Sequence, residues 1–450
     1  PAADATVTVR AQDHYKYINS ITGASGEDFA TSLAITADGQ QVYIGAKSAT
    51  VGSLNNAGKL YVYERMVERF VATVNDQRIY NVLRSITDTV DVHVNDVHFL
   101  NSSDNVGTEN SYTIDAPGNT VTFNSDVTIV VGDRIDIDVN DFNLVQTLTL
   151  EDNNQGAHYG ATVDVCRTDC SLYVGAPQDN WVVPAGGSVS RYINASRIYG
   201  ALTGTIANPT LTPTDTIRID NIDVTVTGTT VEDFAQDIND AVIPNVQASV
   251  TDGKLTISLI NADEAPILSK LTVMPGVGTA FADLGLEPFD HVQTIRPPVE
   301  NEYAHFGSSI HVDYSSVNIV IGAERGHTYL PVTFDTTHDT VFDSNATRFF
   351  DPVVESGAVY TYDLLPGATN TSPGAFVFGQ QIVDPNISEL DKFGYAVDYT
   401  EGTLVVSSTL YDTAVENIGR VSTYYNETQT PAWRVIQEEP VVADVRKANR

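Results

Sequence analysis

The fold is decided by the stretch Tyr159-Gly160-Ala161-Thr162-Val163, a turn, Leu172-Tyr173-Val174-Gly175-Ala176, and then Gly187-Ser188-Val189-Ser190-Arg191-Tyr192. Its short runs of Val, Thr, Tyr and Leu, broken by turn residues, read as antiparallel strands. The pattern returns three times. One copy runs from Phe29-Ala30-Thr31-Ser32-Leu33 to Val42-Tyr43-Ile44-Gly45-Ala46, another from Phe306-Gly307-Ser308-Ser309-Ile310 to Ile319-Val320-Ile321-Gly322-Ala323. The last runs from Phe393-Gly394-Tyr395-Ala396-Val397 to Leu404-Val405-Val406-Ser407-Ser408. Aromatic and Gly-Ala glycine stand sixteen positions apart in three copies; in the last the interval is fourteen and Ser407 replaces the glycine.

Each copy continues in the same way. A glycine opens a third strand at Gly58, Gly187, Gly357 and Gly419. A fourth strand follows at Val145-Gln146-Thr147-Leu148, Val292-Gln293-Thr294-Ile295, Gly379-Gln380-Gln381-Ile382 and Arg434-Val435-Ile436-Gln437. Four antiparallel strands, repeated, describe a β-propeller blade. Small residues such as Gly45-Ala46 belong where blades approach closely, and the aromatic fills the wedge between neighbours. The units resemble FG-GAP repeats of integrin-like and bacterial propellers, and Gly175-Ala176-Pro177 carries that family's tripeptide in full.

The aromatics lie 130, 147 and 87 residues apart, and the first two gaps exceed one blade. The expected organisation is therefore a propeller part at 1–76, an inserted β-module at 77–141, a propeller part at 142–200, an inserted α+β module at 201–287, and two more blades at 288–450. The fold class is mainly β, with propeller blades and two inserted small domains, one all-β and one α+β. The run Tyr112-Thr113-Ile114, Thr120-Val121-Thr122-Phe123, Val131-Gly132-Asp133 resembles small modules of phage tail fibres. The second insert resembles modules of flagellin, hook and phage tail proteins. Its apolar residues Val231, Phe234, Ala235, Ile238, Ala241 and Val242 share one helical face, with Thr230 as cap and Pro244 as stop. Asp252-Gly253 suits a tight hairpin.

Lys plus Arg number 24 against 58 Asp plus Glu, a net charge of −34. So acidic a chain lacks the clustered cations of a nucleic-acid binder and repels anionic membranes. With 42% hydrophobic residues it still has the means to build cores. No stretch approaches 18 apolar residues, so no membrane insertion is expected. A chain opening at Pro1 is expected to be processed or to be a piece of a longer polypeptide.

No residue is singled out as catalytic, cofactor-binding or metal-ligating. FG-GAP blades often carry an Asp-rich calcium loop between their first two strands. The corresponding stretches here, 36–40, 166–170, 313–317 and 398–402, lack three spaced carboxylates and read as plain turns. Cys166 and Cys170 flank one of them, and a disulfide and two free thiols are both open. The nine histidines form no His-x-x-x-His or Ser–His–Asp pattern and recur at no common blade position; they read as surface or packing residues. A long loop, 326–354, holds Phe334, Phe342, Phe349 and Phe350 and suits a partner or a neighbouring domain.

These resemblances imply a non-enzymatic structural protein of a tailed-phage virion. Its expected partners are other virion proteins or copies of itself, with a host-surface glycan or protein as a further contact. A bacterial extracellular adhesin is the alternative and a carbohydrate-active enzyme a third class. No cofactor and no nucleic acid are expected.

Overall fold

The computed structural model describes residues 20–440 except 38, 83–89, 96, 102–110, 116–118, 126, 153, 167–170, 221, 262–270, 300–301, 314–317, 327, 331–350, 354, 366–373, 385, 387, 401, 412–417 and 427–432. The chain divides into two compact units, 65–143 with 1–22, and 23–64 with 144–450. The divisions fall inside two long strands, Lys59–Val71 and Arg134–Leu148.

The larger unit carries the repeats, and the four sheets are propeller blades. Blade 1 contains the strands Phe29–Ile35, Gln41–Ala46 and Lys59–Val71, next to Arg134–Leu148. Blade 2 orders Thr162–Val165, Leu172–Ala176, Ser188–Asn194 and Phe289–Ile295. Blade 3 orders Phe306–Val312, Asn318–Ala323, Ala358–Leu365 and Ala375–Ile382. Blade 4 orders Phe393–Thr400, Thr403–Ser408, Arg420–Asn426 and Trp433–Pro440. All pairs within these blades for which a register is seen are antiparallel, as the alternation of the sequence requires.

Successive blades pack through apolar faces. Tyr43, Leu60 and Val62 of blade 1 share a core with Tyr159, Val165, Leu172, Val174 and Tyr192 of blade 2. Tyr173 and Val189 of blade 2 meet Phe306, Val312, Ile319 and Ile321 of blade 3 in the same way. Val320 and Val359 then meet Phe393, Tyr399, Leu404 and Val406. Tyr159, Phe306 and Phe393 are fully buried, so the repeated aromatic is the wedge between blades. Burying one such ring contributes about 2–3 kcal/mol.

Each joint also has a backbone part. The glycine that opens the third strand forms a parallel bridge to the next blade's aromatic: Gly58 to Tyr159, Gly187 to Phe306, Gly357 to Phe393. These glycines have φ of +88°, +87° and +87°, and an added Cβ would sit 2.0–2.2 Å from the aromatic's carbonyl oxygen. Only glycine satisfies both conditions. The hydroxyls of Ser32, Thr162 and Ser309 donate to the carbonyls of Gly160, Gly307 and Gly394 at 2.8, 2.7 and 2.8 Å.

Between Asn194 and Phe289 the chain forms an α+β region with its own core, including Ile217, Ile219, Phe234, Ile257 and Leu284. Its helix, Val231–Asp240, begins at Thr230 in a capping box with Asp233 and buries Val231, Phe234, Ala235 and Ile238. Asp252 and Gly253 turn the hairpin Val246–Thr251/Lys254–Leu259 with φ of 51° and 72°. In the smaller unit, Asp91–Val94 pairs antiparallel with Val97–Asn101. The latter pairs parallel with Ser111–Asp115. Arg65 and Arg69 reach Asp138 and Asp136 at 2.6 and 2.7 Å.

Candidate functional site

Four ionisable residues stand at one repeated position, immediately before the aromatic: Asp28, His158, His305 and Lys392. All four have positive φ, of 51°, 56°, 56° and 54°. The chain turns there from one blade into the inner strand of the next. The His158 amide donates to Asn56 O at 3.2 Å and the His305 amide to Ala185 O at 3.1 Å, so neighbouring blades hold the backbone that presents each imidazole. The expectation that histidines share no blade position is corrected here. The signal lay in the position before each aromatic, which a search for histidine pairs passes over.

The residues just after Gly-Ala meet this row. Ser48 donates its hydroxyl to Asp28 at 2.7 Å. His305 Nδ1 lies 3.2 Å from Glu324 Oε1. That hydrogen bond, with Lys392 and Arg325 nearby, holds the Glu324 carboxyl below its usual range against the opposing effect of burial. Burial, then Lys47 and His305, push the His158 imidazole down, and Asp28 offsets this in part. We call this the leading end of the blades.

Apolar side chains are exposed at the same end. Trp181 and Tyr303 are 57% and 52% exposed, beside exposed Val182 and Pro184. The loop that carries Trp181 is braced. Asp179 Oδ1 accepts from Asn154 Nδ2 at 2.7 Å and from the Trp181 amide at 3.1 Å, and the Ala185 amide donates to Asn180 at 2.7 Å. The Tyr303 amide donates to Pro184 O at 2.7 Å, which sets the tyrosine beside that loop.

A second repeated position lies five residues after the aromatic, on the inner strands. There Asp164, His311 and Asp398 follow one another through blades 2, 3 and 4. His311 Nδ1 is 3.7 Å from Asp164 Oδ2 and 3.2 Å from Asp398 Oδ1. Asp164 also accepts from the Val312 amide at 2.8 Å, so this row clamps the inner edges of three blades together.

The remaining sequence candidates are dispersed. His93 and His98 stack with centroids 5.0 Å apart in the smaller unit. Cys166 is buried, and Cys170 lies outside the described residues. The first turn closes through the Gly39 amide on Thr36 O at 2.9 Å and the Thr36 amide on Gln41 O at 3.0 Å; all four turns lie partly outside the described residues. Phe334, Phe342, Phe349 and Phe350 lie outside them altogether.

No family profile and no curated protein matches the chain. Among solved structures, it is similar to two proteins provisionally named 6-phosphogluconolactonases. The one from Bacteroides fragilis is 9% identical, with 92% of this chain and 84% of that chain covered and a TM-score of 0.22. The one from Bacteroides uniformis is 8% identical, with 92% and 85% covered and a TM-score of 0.25. The periplasmic gluconolactonase of Pseudomonas aeruginosa is 8% identical, with 94% and 88% covered and a TM-score of 0.21. The expected role as a tailed-phage structural protein, with its adhesin alternative, is corrected by these names, which are those of sugar-lactone enzymes. At this identity and these TM-scores the likeness brings no activity to this chain. No described helix is long and apolar enough to cross a membrane.

Proposed function

We propose that the chain is a glycan-recognition protein whose ligand lies across the leading end of the blades. The observation that carries this reading is the exposure of Trp181 and Tyr303 on a braced loop surface, next to a repeated row of ionisable groups. An aromatic ring offers a flat apolar body for the carbon face of a sugar, and exposed rings of this kind mark binding surfaces. The polar row supplies hydrogen bonds and charge for the hydroxyl and acidic groups of the chain. Because the loops are fixed by hydrogen bonds to side chains and backbone, little ordering entropy is lost when a ligand lands.

Calorimetry against a panel of neutral, uronate-bearing and sulfated oligosaccharides tests this. Binding that falls about tenfold or more in Trp181→Ala and Tyr303→Ala, with unchanged melting, is the expected result. Turnover of sugar lactones without saturable glycan binding would replace recognition with catalysis.

A further inference from the structure

We infer that blade 4 docks head to tail on blade 1 of a second copy of this chain, completing between molecules the joint that blades 1 to 4 make three times within one.

Each internal joint has two halves. The onward half is a pair of apolar side chains, one two residues before the Gly-Ala glycine and one two residues after the glycine that opens the third strand. These pairs, Tyr43 with Leu60, Tyr173 with Val189 and Val320 with Val359, are fully buried. The rearward half is the next blade's aromatic and the residue six positions after it. Val165, Val312 and Tyr399 hold that second position, and all three are buried in the joint cores.

Among the described residues, the two ends of the repeat carry the same halves uncovered. On blade 4 the onward pair is Val405 and Val421, 36% and 37% exposed. On blade 1 the rearward pair is Phe29, half-buried, and Ile35, 56% exposed, with Leu33 exposed beside it. Blade 4 therefore does not close on blade 1 within the chain, and each uncovered half has the apolar residues that the other's partner supplies in the internal joints. Gly419 is kept as well, with φ of +69°, although an added Cβ there would meet only Ser408 O and Thr409 O of its own blade, at 3.5 Å. The equivalent glycines of blades 1 to 3 bridge to the next blade's aromatic.

The outer joint departs from the inner ones at one contact, and it departs on both sides. Inside the chain a Gly-Ala glycine faces the glycine after the next aromatic: Gly45 and Gly160, Gly175 and Gly307, Gly322 and Gly394. At the two ends both places hold a side chain, Ser407 and Ala30. The close backbone approach is thus given up by both halves together, which suits a joint held by apolar contact and able to separate. Two chains joined at both ends would form a ring of eight blades, within the range of known propellers. The net charge of −34 on each chain opposes the contact at low salt.

Sedimentation velocity on the full chain tests this, across a dilution series in about 1 M sodium chloride, where the Debye length is about 3 Å. A species of twice the chain mass that dissociates on dilution is expected. Val421→Asp and Ile35→Asp, both at exposed positions, are each expected to weaken it about tenfold or more with unchanged melting of the monomer. Val242→Asp, at an exposed position of the α+β region, is expected to leave it unchanged. An equimolar mixture of the two joint variants is expected to regain association, because each mixed pair keeps one native joint. A chain that stays monomeric throughout the series overturns the inference. So does association weakened by only one of the two joint variants, which would mean that like faces meet, and so does a mixture that recovers nothing.

Discussion

Blades 1 to 3 and blade 4 solve the same packing problem differently on the side that faces onward. In the first three, a glycine at position 45, 175 or 322 leaves room for the next blade's glycine carbonyl, and an added Cβ would lie 2.0–2.3 Å from that oxygen. The inner-strand hydroxyl of Ser32, Thr162 or Ser309 donates to the same carbonyl. In blade 4 the corresponding residues are Ser407 and Ala396. The hydroxyl has moved to the second strand and turned inward: the Ala396 amide donates to Ser407 Oγ at 3.0 Å. What looks in the sequence like a degraded repeat is a local rearrangement of one hydrogen bond.

The strongest way to break the comparison is at the third-strand glycines. Gly357→Ala combines a φ of +87° with a Cβ 2.0 Å from Phe393 O, and should cost about 3 kcal/mol or more in urea unfolding. Gly419→Ala in blade 4, with φ of +69° and nothing nearer than 3.5 Å, should cost about 1–2 kcal/mol. Equal losses would show that backbone conformation, not the joint, explains these glycines. A smaller contrast lies in the hydroxyls. Ser309→Ala should lose about 1 kcal/mol, whereas the reverse change in blade 4, Ala396→Ser, should leave the midpoint within about 0.5 kcal/mol.

The smallest effects are electrostatic and distinguish the joints by pH. His158 is depressed in the folded state, so the unfolded chain binds the extra proton, and this residue lowers stability as pH falls through the ordinary imidazole range. Glu324 is depressed too, but as a carboxylate. It adds stability above the ordinary carboxylate range that is lost as pH falls through its depressed folded value. Thermal melts between pH 4 and 8 should therefore lose part of their acid-side slope in two separable windows, the upper in His158→Gln and the lower in Glu324→Gln. A single shared window would sink the assignment to separate joints.

The repeats, the four-strand blades and the capped helix at Thr230 were legible because each writes a period or a cap into the sequence. The parallel pairing of Val97–Asn101 with Ser111–Asp115 was not, since alternation marks a strand but not its direction. The leading-end row was missed for a different reason. Asp28, His158, His305 and Lys392 share a position but only two of them a residue type, and what all four share physically, a left-handed backbone before the repeated ring, has no composition of its own. The Trp181 patch likewise sits in a loop, where no periodicity separates exposed from buried rings.

The bridges between blades run from main chain to main chain, and this fixes how the molecule should come apart. The Tyr159, Phe306 and Phe393 amides donate to Ala57 O, Gly186 O and Ser356 O at 3.0, 3.1 and 2.9 Å, so each joint contains one equivalent proton. Repeats coupled only to their neighbours open locally, with a free energy set by each contact. Those three amides are therefore built-in reporters, and their exchange rates with deuterium would read the strength of the three joints separately in a single sample.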